Sequence, residues 1–163
     1  MVIKIISSGQ AGVERAALDW AIIHGVRHGG YCSKALCSEE QIRTSYRLTE
    51  LLADSNSDAV ERNVVESDGT LLITEGDALS DVSALAVEYC RNYEKPLLLI
   101  KHSEPNGARR LVSFVEKHKI FVIHITGPGT SKANGLVTFV TSIMDEALPI
   151  FLFPRRAGKI DIQ

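Results

Sequence analysis

The sequence predicts an α/β domain with an open, mostly parallel sheet and helices on both faces, and three observations predict it. Residues 2–6, 70–74, 97–100 and 120–125 are mainly apolar runs without strict alternation, as strands buried on both faces are. A stretch with apolar residues at helical spacing follows each of them, the pattern of a parallel sheet with crossover helices. The first and the last of these strands run into glycine-bearing loops, which would lie outside the carboxyl ends of the strands, where ligands bind in such sheets.

Val2, Ile3, Ile5 and Ile6 form the first strand, and Ser7-Ser8-Gly9-Gln10-Ala11-Gly12 the loop after it. Val13, Glu14 and Arg15 open a helix whose apolar face runs from Ala16 to Ile23, with Gly25 as its C-cap. Strand, glycine loop and helix in that order aim backbone N–H groups and the positive end of a helix dipole at an anion. A tight turn without a ligand is the alternative. The loop is neither G-x-G-x-x-G nor the Walker pattern, since no glycine follows Gly12 at the right spacing and no Gly-Lys-Ser/Thr occurs.

Residues 28–52 lose all periodicity and read as a long connection, of the kind that is functional or disordered in a compact domain. Within it, His28-Gly29-Gly30-Tyr31-Cys32-Ser33-Lys34 joins a flexible backbone to a cation, and Tyr46, Leu48 and Leu51 suggest a short strand or packed turn. Residues 54–58 supply capping groups for a helix carrying Val60, Val64 and Val65. Ser80 or Asp81 can cap the next helix, which Lys95-Pro96 ends. Pro105-Asn106-Gly107 opens the helix with Leu111, Val112, Phe114 and Val115. Thr126-Gly127-Pro128-Gly129-Thr130-Ser131 is the second glycine loop and leads to a last helix around Leu136, Val140 and Met144. The domain is read as residues 1–147. Residues 148–163 form an apolar, then basic tail whose apolar part should pack on the body or on a second subunit.

A chain of 163 residues suits one domain without a disulfide or a metal to hold it. No run reaches the length of a membrane span and no signal-type segment opens the chain, so a cytoplasmic protein with no membrane partner is expected. A formal charge of -2 gives no overall reason to bind nucleic acid. Cys32, Cys37 and Cys90 are an odd count, which argues against a disulfide framework; the first two are too far apart for the usual zinc spacing and lack a second pair. His24 and His124 fall on apolar segments as core residues, while His28, His102 and His118 read as solvent-facing.

Four stretches in order resemble the molybdenum carrier family, also called molybdenum cofactor carrier proteins. They are SSGQAGVERAALDWAI for the family's S-G-G-Q-T-G-x-D-R-A-A-L-D, HGGYCSK for H-G-G-x-C-P-K, SDGTLLI for S-D-G-T-L-I, and ITGPGTSKANGL for A-G-P-R-E-S-x-x-P-G-I. The resemblance implies a Rossmann-like domain that binds molybdenum cofactor, a pterin dithiolate bearing a phosphate, and protects it until transfer to a molybdoenzyme apoprotein. It also implies a homo-oligomer and no catalysis. The site residues it implies, with those of the loops, are Ser8, Gly9, Gln10, Gly12, Arg15, Lys34, Ser83, Gly127 and Ser131. Backbone amides after Gly9 and Gly127 would hold the phosphate, with Arg15 or Lys34 as counter-charge.

The departures shape the alternatives. Asp81-Val82-Ser83 stands where the family has Gly-Gly-Thr, so a carboxylate either faces the anion or caps the helix. Gly129-Thr130 replaces Arg-Glu, Ala11 replaces Thr, Glu14 replaces Asp, and Ser33 replaces Pro. A related group of nucleotide phosphoribohydrolases carries P-G-G-x-G-T-x-x-E; here those glycines are absent, Ala86 takes the glutamate's place and Glu88 lies on another side of the helix. A member that has lost its ligand site and keeps a structural role is the third reading.

Overall fold

The first strand, β1 (Lys4–Ile6), leads through α1 (Val13–Ile23) to β2 (Arg27–Gly29) in the computed structural model, which describes residues 1–129 and 134–151. Then come β3 (Tyr31–Cys32), α2 (Lys34–Cys37), α3 (Glu40–Ser45), β4 (Thr49–Glu50) and α4 (Asn56–Glu66). The alternation continues with β5 (Gly69–Thr74), α5 (Asp81–Asn92), β6 (Leu97–Lys101), α6 (Gly107–His118), β7 (Val122–Thr126) and α7 (Asn134–Glu146). Five strands form one sheet in the order β2-β1-β7-β5-β6, and every pair in it is parallel. The fold is the parallel α/β sheet that the apolar runs predict and the Rossmann-like domain that the family resemblance implies.

The two faces of the sheet are covered differently. Ile5, Leu71, Ile73, Ile123 and Ile125 meet Val13 and Ala17 of α1, Leu111 and Phe114 of α6, and Val140 and Met144 of α7 in the main core. On the other side, Val60 and Val64 of α4 pack with Ala86 and Cys90 of α5. This side is partly polar: the buried His124 bonds Thr70 Oγ1 through Nδ1 at 3.2 Å, and its Nε2 has no partner among the described residues. From β1 the chain moves outward to β2, and from β5 it moves the opposite way to β6, with β7 between β1 and β5. The carboxyl ends of β1 and β7 therefore flank a topological switch point, where such sheets leave a crevice.

Residues 28–52 depart most from the expected loop. Arg27–Gly29 completes the main sheet as an edge strand, β3 and β4 pair parallel as a second small sheet, and two short helices lie between them. Strands of two or three residues are too short to show a period, and β2 carries Arg-His-Gly because its edge position leaves it half open. Gly30 is obligatory at the corner. Its φ is +127°, and a Cβ there would lie 2.1 Å from the Ser7 carbonyl oxygen.

The cysteines also depart from expectation. Cys32 and Cys37 form a disulfide across α2, with Cα atoms 5.8 Å apart, because the turn of α2 folds the second thiol back over the first. Cys90 is free and buried. At the other end, Leu148–Ile150 makes a 3-10 turn and Phe151 packs its ring 4.8 Å from that of Trp20. Residues 152–163 lie outside the described residues. Among the described residues no helix is long and apolar enough to cross a membrane, and no group of His, Cys, Asp and Glu is placed to hold a metal ion.

Candidate functional site at the switch point

The first loop is fixed from behind before it meets the crevice. Ser7 Oγ donates to the Ile125 carbonyl at 2.9 Å, and the Ser7 N–H donates to the Gly29 carbonyl at 3.1 Å, tying the loop to both neighbouring strands. Ser8 is buried, and its hydroxyl accepts from Asn63 Nδ2 at 3.1 Å. Gly9 has φ +79°, and the position of its missing Cβ lies 2.8 Å from Leu48 Cδ1. Ser8 and Gly9 thus anchor the loop in the protein instead of lining the crevice. Asn63, unnoticed in the sequence, also accepts the Tyr31 N–H and donates to its carbonyl, so it joins α4 to β3 and the loop. Its one visible signal is a polar residue between Val60 and Val64 on the buried side of a helix.

Glu14 is the other residue that the sequence left out of the site, and it joins the two loops. One carboxylate oxygen accepts the Gln10 N–H at 3.0 Å, and the other accepts the Thr126 hydroxyl at 2.8 Å. The side chain is 1% exposed. Burial pushes its pKa up to about 7, against the pull of those two hydrogen bonds. An acidic residue in the first turn of a helix behind a glycine loop was the available clue.

The second loop closes onto the first. At Gly127 a Cβ would lie 2.7 Å from the Ile73 carbonyl oxygen and 2.8 Å from Val13 Cγ2, so only glycine lets the strand end pass between β5 and α1. At Gly129 it would lie 3.0 Å from the Ala11 carbonyl oxygen and 3.3 Å from Gln10 Oε1. The loops therefore touch, and a crevice of about 400 Å³ opens beside them. Gln10, Ala11, Arg15 and Gly129 form one wall, with Ser33, Leu36, Glu39 and Asn56 opposite.

Two features at or beside that wall bear on anions. Gly12, with φ +103°, is the N-cap of α1, and no side chain caps the helix there. In contrast, Ser33, Ser55 and Ser80 cap α2, α4 and α5 with their own hydroxyls. Arg15 is the cation of the crevice; its Nε donates to the Gly9 carbonyl at 3.2 Å, and its Nη2 stands 3.7 Å from Glu39. The guanidinium is thereby held in place over the loop and keeps donors to spare.

The remaining site residues lie elsewhere. Lys34 is exposed at the start of α2 and does not line the crevice. Ser83 is buried under α5, where its N–H donates to Ser80 Oγ at 3.2 Å and its hydroxyl accepts from the same group. The cap of α5 is therefore Ser80, and Asp81 is an exposed first-turn residue outside the crevice. Ser131 lies outside the described residues. His28, read as solvent-facing, is half-buried and accepts the Arg47 N–H through Nε2 at 3.1 Å.

The comparisons with known proteins agree with this architecture. A model of the circularly permutated YpsA SLOG family matches residues 5–148. Among solved structures the chain is similar to the crystal structure of a "Putative molybdenum carrier protein" from Syntrophus aciditrophicus SB. The two are 35% identical with a TM-score of 0.83, over 90% of this chain and 95% of that one. No curated protein matches the chain.

Proposed function

The chain belongs to the circularly permutated YpsA SLOG family, and from that premise we propose that its switch-point crevice carries molybdenum cofactor or a related phosphate-bearing ligand without turning it over. The observation that carries the reading is the start of α1. A helix of 11 residues whose N-terminus has no side-chain cap begins beside a crevice lined by Gln10 and Ala11 of the first loop, Gly129 of the second, and Arg15 of the helix itself. A phosphate seated there would take a charge-assisted bond from Arg15 and lie near the positive end of the helix dipole, while the Arg15 N–H itself stays with the Gln10 carbonyl at 3.1 Å. The volume of about 400 Å³ suits a small cofactor by the roughly 300–1,000 Å³ usual for ligand pockets.

The carboxylate nearest the loops supports the absence of turnover. Hydrolysis of a glycosidic bond needs a carboxyl group free to reach the sugar. Glu14 has both oxygens engaged and is 1% exposed, Glu88 is exposed on α5, which does not line the crevice, and Glu39, which does line it, stands 3.7 Å from Arg15 Nη2. The likeness to a molybdenum carrier favours the family's cofactor over other phosphate esters.

Anaerobic isothermal titration of the full chain with molybdenum cofactor tests the reading. Saturable binding is expected, weakened about tenfold or more in Arg15→Ala by loss of a charge-assisted bond. Binding that fails to saturate, or an Arg15→Ala variant indistinguishable from the parent, would overturn it. Release of free adenine from AMP would overturn the absence of turnover.

A further inference from the structure

The larger concavity of the molecule is not at the glycine loops. A cleft of about 780 Å³ runs along the edge strand β2, and it shares no residue with the crevice. Three cations from separate segments line it. Lys4 stands in register beside Arg27 in the parallel pairing of β1 with β2, and Arg47 is brought in by the bond from its N–H to His28 Nε2. Lys4 reaches over Gly29, where the position of the missing Cβ lies 3.0 Å from Cε and 3.2 Å from Nζ. The bare glycine leaves room for the ammonium group.

Among the described residues, none of these cations is paired. The ion pairs found there involve Arg15, His24, Arg62, Lys101 and Arg110. Glu66, which also lines the cleft, is held by Arg62 Nε at 3.2 Å. His28 registers the resulting field: burial first, then the charges of Arg47 and Lys4, hold its pKa below the ordinary histidine value. With Nε2 already accepting a backbone N–H, it serves the cleft as a neutral strut. Unpaired cations converging on a concave surface with low-dielectric walls focus positive potential into it.

We propose that this cleft is a second anion site, separate from the crevice of the glycine loops, which takes a small molecule bearing two linked phosphate groups. One phosphate can be satisfied by one or two cations. Three cations spread along a cleft nearly twice the volume of the crevice match a ligand with two such groups. The proposal does not rest on the carrier reading.

Inorganic pyrophosphate is the probe, titrated calorimetrically into the full-length Arg15→Ala chain so that the crevice lacks its own cation. Saturable binding is expected. Adding Arg27→Ala and Arg47→Ala, both at exposed positions, should weaken it about tenfold or more. Adding Arg109→Ala and Lys117→Ala instead removes equal charge from the exposed face of α6 and should leave the affinity unchanged. Unfolding temperatures that agree among the variants establish that the fold is intact. Heats that do not saturate, equal affinity with and without Arg27 and Arg47, or equal losses in the two pairs would each overturn the second site.

Discussion

Glu14 shows what one side chain does when it is sealed between two loops. Its pKa of about 7, against an ordinary 4.5, follows from burial, and the bonds from Gln10 and Thr126 only moderate it. For an acid raised in this way, the contribution to stability is fully present below about 4.5 and is lost as the pH rises through 7. At 1.36 kcal/mol per unit, the loss amounts to about 3 kcal/mol. Glu14→Gln removes the titration while retaining one carbonyl acceptor and a donor to which the Thr126 hydroxyl can turn. Between pH 5 and pH 8, urea unfolding should therefore show the stability of the parent dropping relative to that of Glu14→Gln by most of that amount. Parallel falls in the two proteins would refute the assignment.

At the scale of elements, the helix starts separate structural positions from those offered to a ligand. Ser80 satisfies the first turn of α5, so Ser80→Ala should cost about 1 kcal/mol in chemical denaturation, whereas Asp81→Ala should cost no more than a few tenths. The reverse order would return Asp81 to the role of cap. The strands β5, β6 and β7 and their helices were legible because each strand runs five or six residues, enough for a period or its absence to register, and β1, three residues long, was legible through the mainly apolar run 2–6 that contains it. The β2 to β4 region was not, since its strands are two or three residues long and its order comes from distant partners such as Asn63 and Ser7. The crevice was half legible. Glycines and Arg15 stand out in a sequence, but whether Ser8 or Gly9 faces a ligand or Leu48 is decided by the packing of a segment 40 residues away.

Across the whole molecule, a second buried group opposes Glu14. Burial lowers the pKa of His124 to about 3 from 6.5, so its contribution is present above about 6.5 and is lost as the pH falls toward 3. The two slopes have opposite sign and overlap between about 4.5 and 6.5, where they cancel and leave a plateau of stability. In the Glu14→Gln series above, that plateau should become a slope rising with pH.

The Val2 N–H donates to the Ile150 carbonyl at 2.8 Å, and Val2 bridges Phe151, so the first strand and the end of the described chain lie side by side. Topologically the chain is close to a ring that happens to be cut there. A variant lacking residues 152–163, with Phe151 joined to Val2 by a short glycine-serine linker and new ends placed in the exposed turn at residues 75–78, should keep the native circular dichroism and a cooperative melt. Loss of cooperative unfolding would show that the order of travel matters to this sheet as well as its architecture.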